Sequence, residues 1–272
     1  MYRTLPKWLQ QGLVVGAAIV LTVLTVSATD SKETKRWLAA TGAVNECTAE
    51  EVFVVVDGQA LCVDVYEASA NQSCPFKAVR TGRDNDTNLG INNCAAASQP
   101  AAPPLRYVSY TQAAHYCAQA GKRLPTAREW HGVAVKATAD LTCNVSGQPP
   151  QVQLTGVAGC VTESGVYDLI GNVWEWVDGE VVNGTYNNRP VPPSGYVALV
   201  DTSGIVIETN STSSQPVFEE AYAWVHPDGV GGIVKGGFYG SGSDAGRYAQ
   251  QVGLPLGTQT GGIGFRCVRD VL

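Results

Sequence analysis

Along this chain the spacing of hydrophobic positions changes several times, and each change predicts a different element. From Gly12 to Ala28 (GLVVGAAIVLTVLTVSA) no charge interrupts the run, with Arg3 and Lys7 before it and Asp30-Ser-Lys-Glu after it. As a helix this stretch spans roughly 25 Å, the short limit for crossing a bilayer, and its basic flank belongs on the cytoplasmic side. Residues 1–28 are therefore expected to form one N-terminal transmembrane helix, a signal anchor. Cleavage after Val26-Ser27-Ala28 would make it a signal peptide instead, but the run exceeds the usual 7–15-residue apolar core, which favours retention. Residues 29–46 read as a polar spacer, and residues 47–272 as the folded domain.

Within that domain, Glu51–Asp57 and Ala60–Tyr66 are β-branched runs around Gly58, a hairpin signature. From Ala70 to Pro104 periodicity is lost, which predicts a long surface insertion. Helical spacing then returns twice. Ser109 with Gln112 forms a capping box ahead of Ala113, Tyr116, Cys117 and Ala120, closed by Gly121. Thr126 with Glu129 forms a second, ahead of Trp130, Val133, Ala134 and Ala137. Gly171-Asn172 is a turn signal that feeds the strand Val173–Val177. Residues 178–232 read as mostly loop with short apolar runs. Ile233–Tyr239 and Gly261–Arg269 predict a glycine-interrupted terminal sheet.

Composition narrows the class. Thirty glycines and 14 prolines in 272 residues favour turns and irregular segments. A formal charge of −6 without a Lys/Arg stripe excludes a nucleic-acid partner. Eight cysteines, at 47, 62, 74, 94, 117, 143, 160 and 267, have neither CxxC spacing nor a neighbouring His cluster, so disulfides in an oxidising compartment account for them better than zinc. Cys47 and Cys62 flank the hairpin and could staple it. Cys74 with Cys94 would hold the insertion, and Cys143 with Cys160 would close a Pro-containing loop.

The densest candidate chemistry lies in Gly165–Trp176 (GVYDLIGNVWEW). A turn that gathers the Asp168 carboxylate, the carbonyls of Gly171 and Val173 and the Glu175 carboxylate would offer four hard oxygen donors, a set suited to calcium rather than zinc. The competing reading is a buried Trp pair with Glu175 hydrogen-bonded to backbone.

Four blocks in order, Cys62–Glu67, Val108–Trp130, Gly165–Trp176 and Val234-Lys-Gly-Gly ending in Gly264–Val268, resemble the formylglycine-generating enzyme (sulfatase-modifying factor) family. The resemblance implies an α+β domain of irregular, C-type-lectin-like fold with low regular secondary structure. It also implies calcium on Asp168, Gly171, Val173 and Glu175, and a bridge between Cys117 and Cys267. In that family the catalytic cysteine pair, which binds copper, lies just after the Gly-Gly of the last block. Here that segment, Lys235–Arg247, has no cysteine, and Ser241 has neither a thiol's acidity nor its redox steps. No catalytic residue is therefore assigned, copper is not expected, and formylglycine synthesis is disfavoured. His115, His131 and His226 are scattered and read as structural.

The sequence thus points to a non-catalytic, membrane-tethered extracytoplasmic domain, held through residues 12–28. It would serve as a binding or assembly subunit among other membrane-complex proteins, or be secreted if the signal is cleaved. The alternatives are a divergent metal-dependent oxidoreductase and a glycan- or peptide-binding lectin-like module.

Overall fold

An Asp-Gly pair between two β-branched runs is a strong hairpin signal, and the first hairpin forms on it. β1 (Glu51–Val56) and β2 (Gln59–Asp64) pair antiparallel across Asp57 and Gly58, both at positive φ as the tight turn requires. The structure, a computed structural model, describes residues 47–137, 142–156, 159–212 and 216–271. The expected transmembrane helix and spacer lie outside these residues, and no described helix is long and apolar enough to cross a membrane.

The remaining strands are β3 (Ala68–Ala70), β4 (Ala96–Ser98), β5 (Trp174–Val182), β6 (Thr185–Tyr186), β7 (Arg189–Pro190), β8 (Gly195–Val200), β9 (Val206–Asn210), β10 (Tyr222–Val225), β11 (Val230–Gly236), β12 (Gly246–Pro255), β13 (Ile263–Phe265) and β14 (Val268–Asp270). The large sheet runs β7-β6-β5-β11-β12-β10-β8-β9, with β13 pairing in parallel to β5. β14 joins the hairpin through β2 and β3 pairs with β4, so the chain is mostly sheet with few helices, an α+β architecture. The described residues from Cys47 onward fall in one compact unit, 46–272.

Among the described residues three α-helices pack against this framework. α2 (Tyr110–Gln119) and α3 (Ala127–Ala134) begin at the capping boxes of Ser109/Gln112 and Thr126/Glu129. Helix α3 ends earlier than its apolar spacing suggests. Ala137 has left the helix and bridges Thr162, because a strand contact replaces the next helical turn. Helix α1 (Gly82–Leu89) lies inside the insertion expected to be irregular. Its inward face is polar, and this is why periodicity does not reveal it. Asn85 and Asn88 are fully buried, donating to the carbonyls of Arg106, Tyr107 and Phe76. The Thr81/Asp84 capping box was its one local signal.

A second difference concerns residues 178–232. Strands β6–β10 and the end of β5 run through the segment expected to be mostly loop. The pairing of β10 is non-local, Tyr222 with Tyr196 and Ala223 with Gln250, whereas β6 and β7 are two-residue strands and β8–β9 is a hairpin with register shifts, so regular alternation does not disclose them.

Four disulfides fasten these elements: Cys47–Cys62, Cys74–Cys94, Cys117–Cys267 and Cys143–Cys160. Under the large sheet Lys235 is fully buried, donating to the Gly204 carbonyl at 2.7 Å and lying 5.5 Å from the Trp130 ring centroid. Burial lowers its pKa from 10.5 to about 7, against a weaker opposing pull from Asp201. Between pH 7 and 10.5 the unfolded chain therefore binds more protons at this site, and folding stability should rise with pH across that window. Lys235→Met is expected to raise stability at pH 7 and to flatten this rise, as read from urea midpoints measured at several pH values.

Candidate functional site

The turn ahead of β5 reverses direction within a few residues, and its backbone explains its composition. Asp168, Gly171 and Asn172 all have positive φ, 58°, 78° and 54°. A Cβ on Gly171 would lie 2.4 Å from the Asn144 carbonyl oxygen, so only glycine fits there. Asn172 tolerates the left-handed region, and its amide organises the surroundings. Its Nδ2 donates to Glu67 Oε2 at 2.5 Å, and its Oδ1 accepts from Asn144 Nδ2 and the Gln153 amide at 3.0 and 2.9 Å. Glu67 Oε1 accepts from the Val173 amide at 3.2 Å.

The acids expected to bind calcium sit on either side of this turn. Asp168, 2% exposed, accepts from the Gly156 amide at 2.6 Å. Glu175, 1% exposed, takes a bifurcated set of bonds from Arg266, Nε at 2.8 and 3.0 Å and Nη2 at 2.5 Å, and a further one from Trp130 Nε1 at 2.6 Å. The other donors of Arg266 reach the carbonyls of Asp64 and Tyr167 at 3.1 and 2.7 Å. One guanidinium thus ties β13's exit, the first hairpin, the turn and β5 together.

The electrostatics are unbalanced around Glu67. Burial, then the charges of Asp168 and Glu175, push its carboxyl well above the usual carboxylate range, while Arg266 alone among nearby cations opposes them. Two negative neighbours against one positive, in a sealed environment, leave room for either a proton or a further cation. The donor set of Asp168, the Gly171 and Val173 carbonyls and Glu175 is chemically apt for calcium, with Glu175 already shared with Arg266. Elsewhere among the described residues, three potential ligand groups converge at Cys47, Glu51 and Cys62, but both sulfurs there are in a disulfide.

The segment after Lys235 turns tightly. The Phe238 amide donates to Ser241 Oγ at 3.0 Å, and Gly242–Asp244 is a short 3-10 turn. No free cysteine exists. The three histidines lie apart: His115 beside Gln119 on α2, His131 against Tyr248 at 5.5 Å, and His226 at the end of β10, its amide bonded to the Val252 carbonyl. Burial lowers His131 to about 4, consistent with a neutral ring whose Nδ1 has no partner.

Sequence reasoning singled out Asp168, Gly171, Val173 and Glu175 but missed Glu67, Asn172 and Arg266 as their partners. Glu67 and Arg266 lie 101 and 98 positions from Asp168 along the chain, each in a short link between two strands, and a charged residue there gives no local sign of the partner it meets.

The sequence pattern of the family described as "Sulfatase-modifying factor enzyme 1-like domain" matches residues 30–271. Over 121 residues the chain is 30% identical to hercynine oxygenase of Mycobacterium tuberculosis, covering 37% of this chain and 25% of that protein. Over 122 residues it is 28% identical to the inactive C-alpha-formylglycine-generating enzyme 2 of Bos taurus, covering 37% of this chain and 40% of that protein. These matches span well under half the length of either relative. Among solved structures, the Major Tropism Determinant P3c variant superposes with a TM-score of 0.44 at 16% identity, covering 83% of this chain and 57% of its own. Treponema denticola variable protein 1 gives 0.42 at 13% identity, over 82% of this chain and all of its own.

Proposed function

Because the chain belongs to the sulfatase-modifying factor enzyme 1-like family, we propose that it is a non-catalytic member: a lectin-like variant of the fold that serves as a binding or assembly subunit of a membrane complex. One observation carries this reading. All eight cysteines are in disulfides, so no thiolate remains to hold a soft metal or to react. Similarity to a relative named as inactive supports it. The disulfides suit an extracytoplasmic location, with residues 12–28 as the tether. Cross-linking in native membranes should recover defined partners; a chain that cross-links to nothing would overturn the proposal.

Calcium at the turn belongs to the same reading, and the excess of negative charge around Glu67 supports it. Chelator is expected to lower the thermal midpoint by roughly 5–10 °C when calcium had been present at about 100 times its Kd. Asp168→Ala should lower the midpoint and abolish the chelator response. It is a cleaner variant than Glu175→Ala, which also strips Arg266 of its counter-ion. A wild-type midpoint indifferent to chelator would remove calcium from the account.

A second reading, a divergent metal-dependent oxidoreductase, is favoured by the similarity to hercynine oxygenase. Stoichiometric iron or copper in the purified protein would support it, and calcium alone would reject it.

A further inference from the structure

Among the described residues two indoles spend their N–H on an internal acceptor: Trp130 donates to Glu175 and Trp176 to the Val108 carbonyl. Trp174 and Trp224 do not. Their rings meet edge to face at 5.6 Å, yet neither N–H has an acceptor among the described residues and neither is sealed from solvent. Trp174 is buried and Trp224 half-buried. Two donors held at the surface by packed rings need an acceptor from outside.

The register extends this feature into a surface. Tyr222 lies against Trp224 at 4.8 Å and against Tyr196 at 5.2 Å, the latter nearly perpendicular at 83°. Tyr222 pairs directly with Tyr196, Tyr196 with Asn210, and Trp224 with Gln251, so these side chains share one face of β12, β10, β8 and β9. The phenol hydroxyls of Tyr196 and Tyr222 also make no hydrogen bond among the described residues. The rings and the Gln251 amide carry no charge, and among the described residues the one acid bordering them on this face is the exposed Glu208 of β9.

We propose that this face binds a neutral saccharide, with Trp224, Tyr222 and Tyr196 stacking on the C–H faces of pyranose rings. The Trp224 indole N–H and the Gln251 amide would bond the sugar hydroxyls. The inference deepens the reading of the domain as a binding module. Three features select the ligand class. Uncharged rings bordered only by the acid Glu208 disfavour an anionic partner. Ring–ring contacts of 4.8–5.6 Å leave no gap in which a quaternary ammonium could be caged. They equally leave no slot between rings for a proline side chain, as polyproline grooves require. Rigid aromatic rings with polar tips bind at small entropic cost, which suits a flat, hydroxylated ligand.

The test is a titration of the full-length chain in mild detergent with cellohexaose, chitohexaose and maltohexaose, followed by tryptophan fluorescence and calorimetry up to about 10 mM, the range of weak specific binding. At least one should bind saturably. Trp224→Ala should weaken that binding at least about tenfold, Gln251→Ala should weaken it less, and Trp224→Phe should retain most of it. Circular dichroism of Trp224→Ala checks that the fold survives. No saturable binding by any of the three, binding that persists in a folded Trp224→Ala, or binding of a polyproline peptide instead would overturn the assignment. Cross-linking to membrane partners is read separately, so failure here is distinguishable from failure of the assembly role.

Discussion

Replacing Arg266 with methionine is expected to cost about 3–5 kcal/mol, enough to unfold the domain or to leave it marginal. The guanidinium is 1% exposed and contacts Glu175 through Nε and Nη2 while also donating to the Asp64 and Tyr167 carbonyls. Removing it leaves Glu175 buried with only the Trp130 N–H as a partner, and it deprives Glu67 of the cation that offsets its two acidic neighbours. The loss is that of an uncompensated charge rather than of a net-favourable pair, so the double variant Arg266→Met, Glu175→Gln should recover a substantial part of the stability. Urea denaturation of the single and double variants reads this directly. Equal losses in both would show that packing of the long side chain, not charge, sets the cost.

Removing the Cys117–Cys267 bridge is the second large expected effect. It joins α2 to the segment between β13 and β14 over a separation of 150 residues, and both cysteines are fully buried. On the chain-entropy account a loop of this length stabilises by roughly 5 kcal/mol, against about 3 for loops such as Cys74–Cys94 with a separation of 20. Cys117→Ala with Cys267→Ala should therefore lower the urea midpoint considerably more than Cys74→Ala with Cys94→Ala. Equal shifts for the two pairs would mean that local strain or residual structure in the unfolded chain outweighs loop length.

Some of this protein was legible one residue at a time. Ser109/Gln112 and Thr126/Glu129 announced two helices because a capping box is satisfied within four residues. Asp57-Gly58 announced the first hairpin for the same reason. Helix α1 was not legible, since its buried face is made of Asn85 and Asn88, whose acceptors lie up to 22 residues away. The strands within 178–232 were hidden too, because β10 finds its partners in distant segments, β6 and β7 are two residues long, and the β8–β9 hairpin shifts register at bulges.

The turn at Gly171-Asn172 draws the division most clearly. The sequence by itself determined that a turn, a Trp-Glu-Trp strand and two flanking acids occur here, because turn chemistry and β-propensity act over a few neighbouring residues. It also determined that the segment from Lys235 to Arg247 holds no thiol, which needs only composition. The tertiary structure alone decided that Glu175 faces Arg266, that Glu67 is sealed beside Asp168 and Glu175, and that Trp174 meets Trp224 at an open face. Those outcomes depend on contacts between residues more than a hundred positions apart in the longest case, and burial turns each of them from a solvated side chain into a constraint on charge or hydrogen bonding.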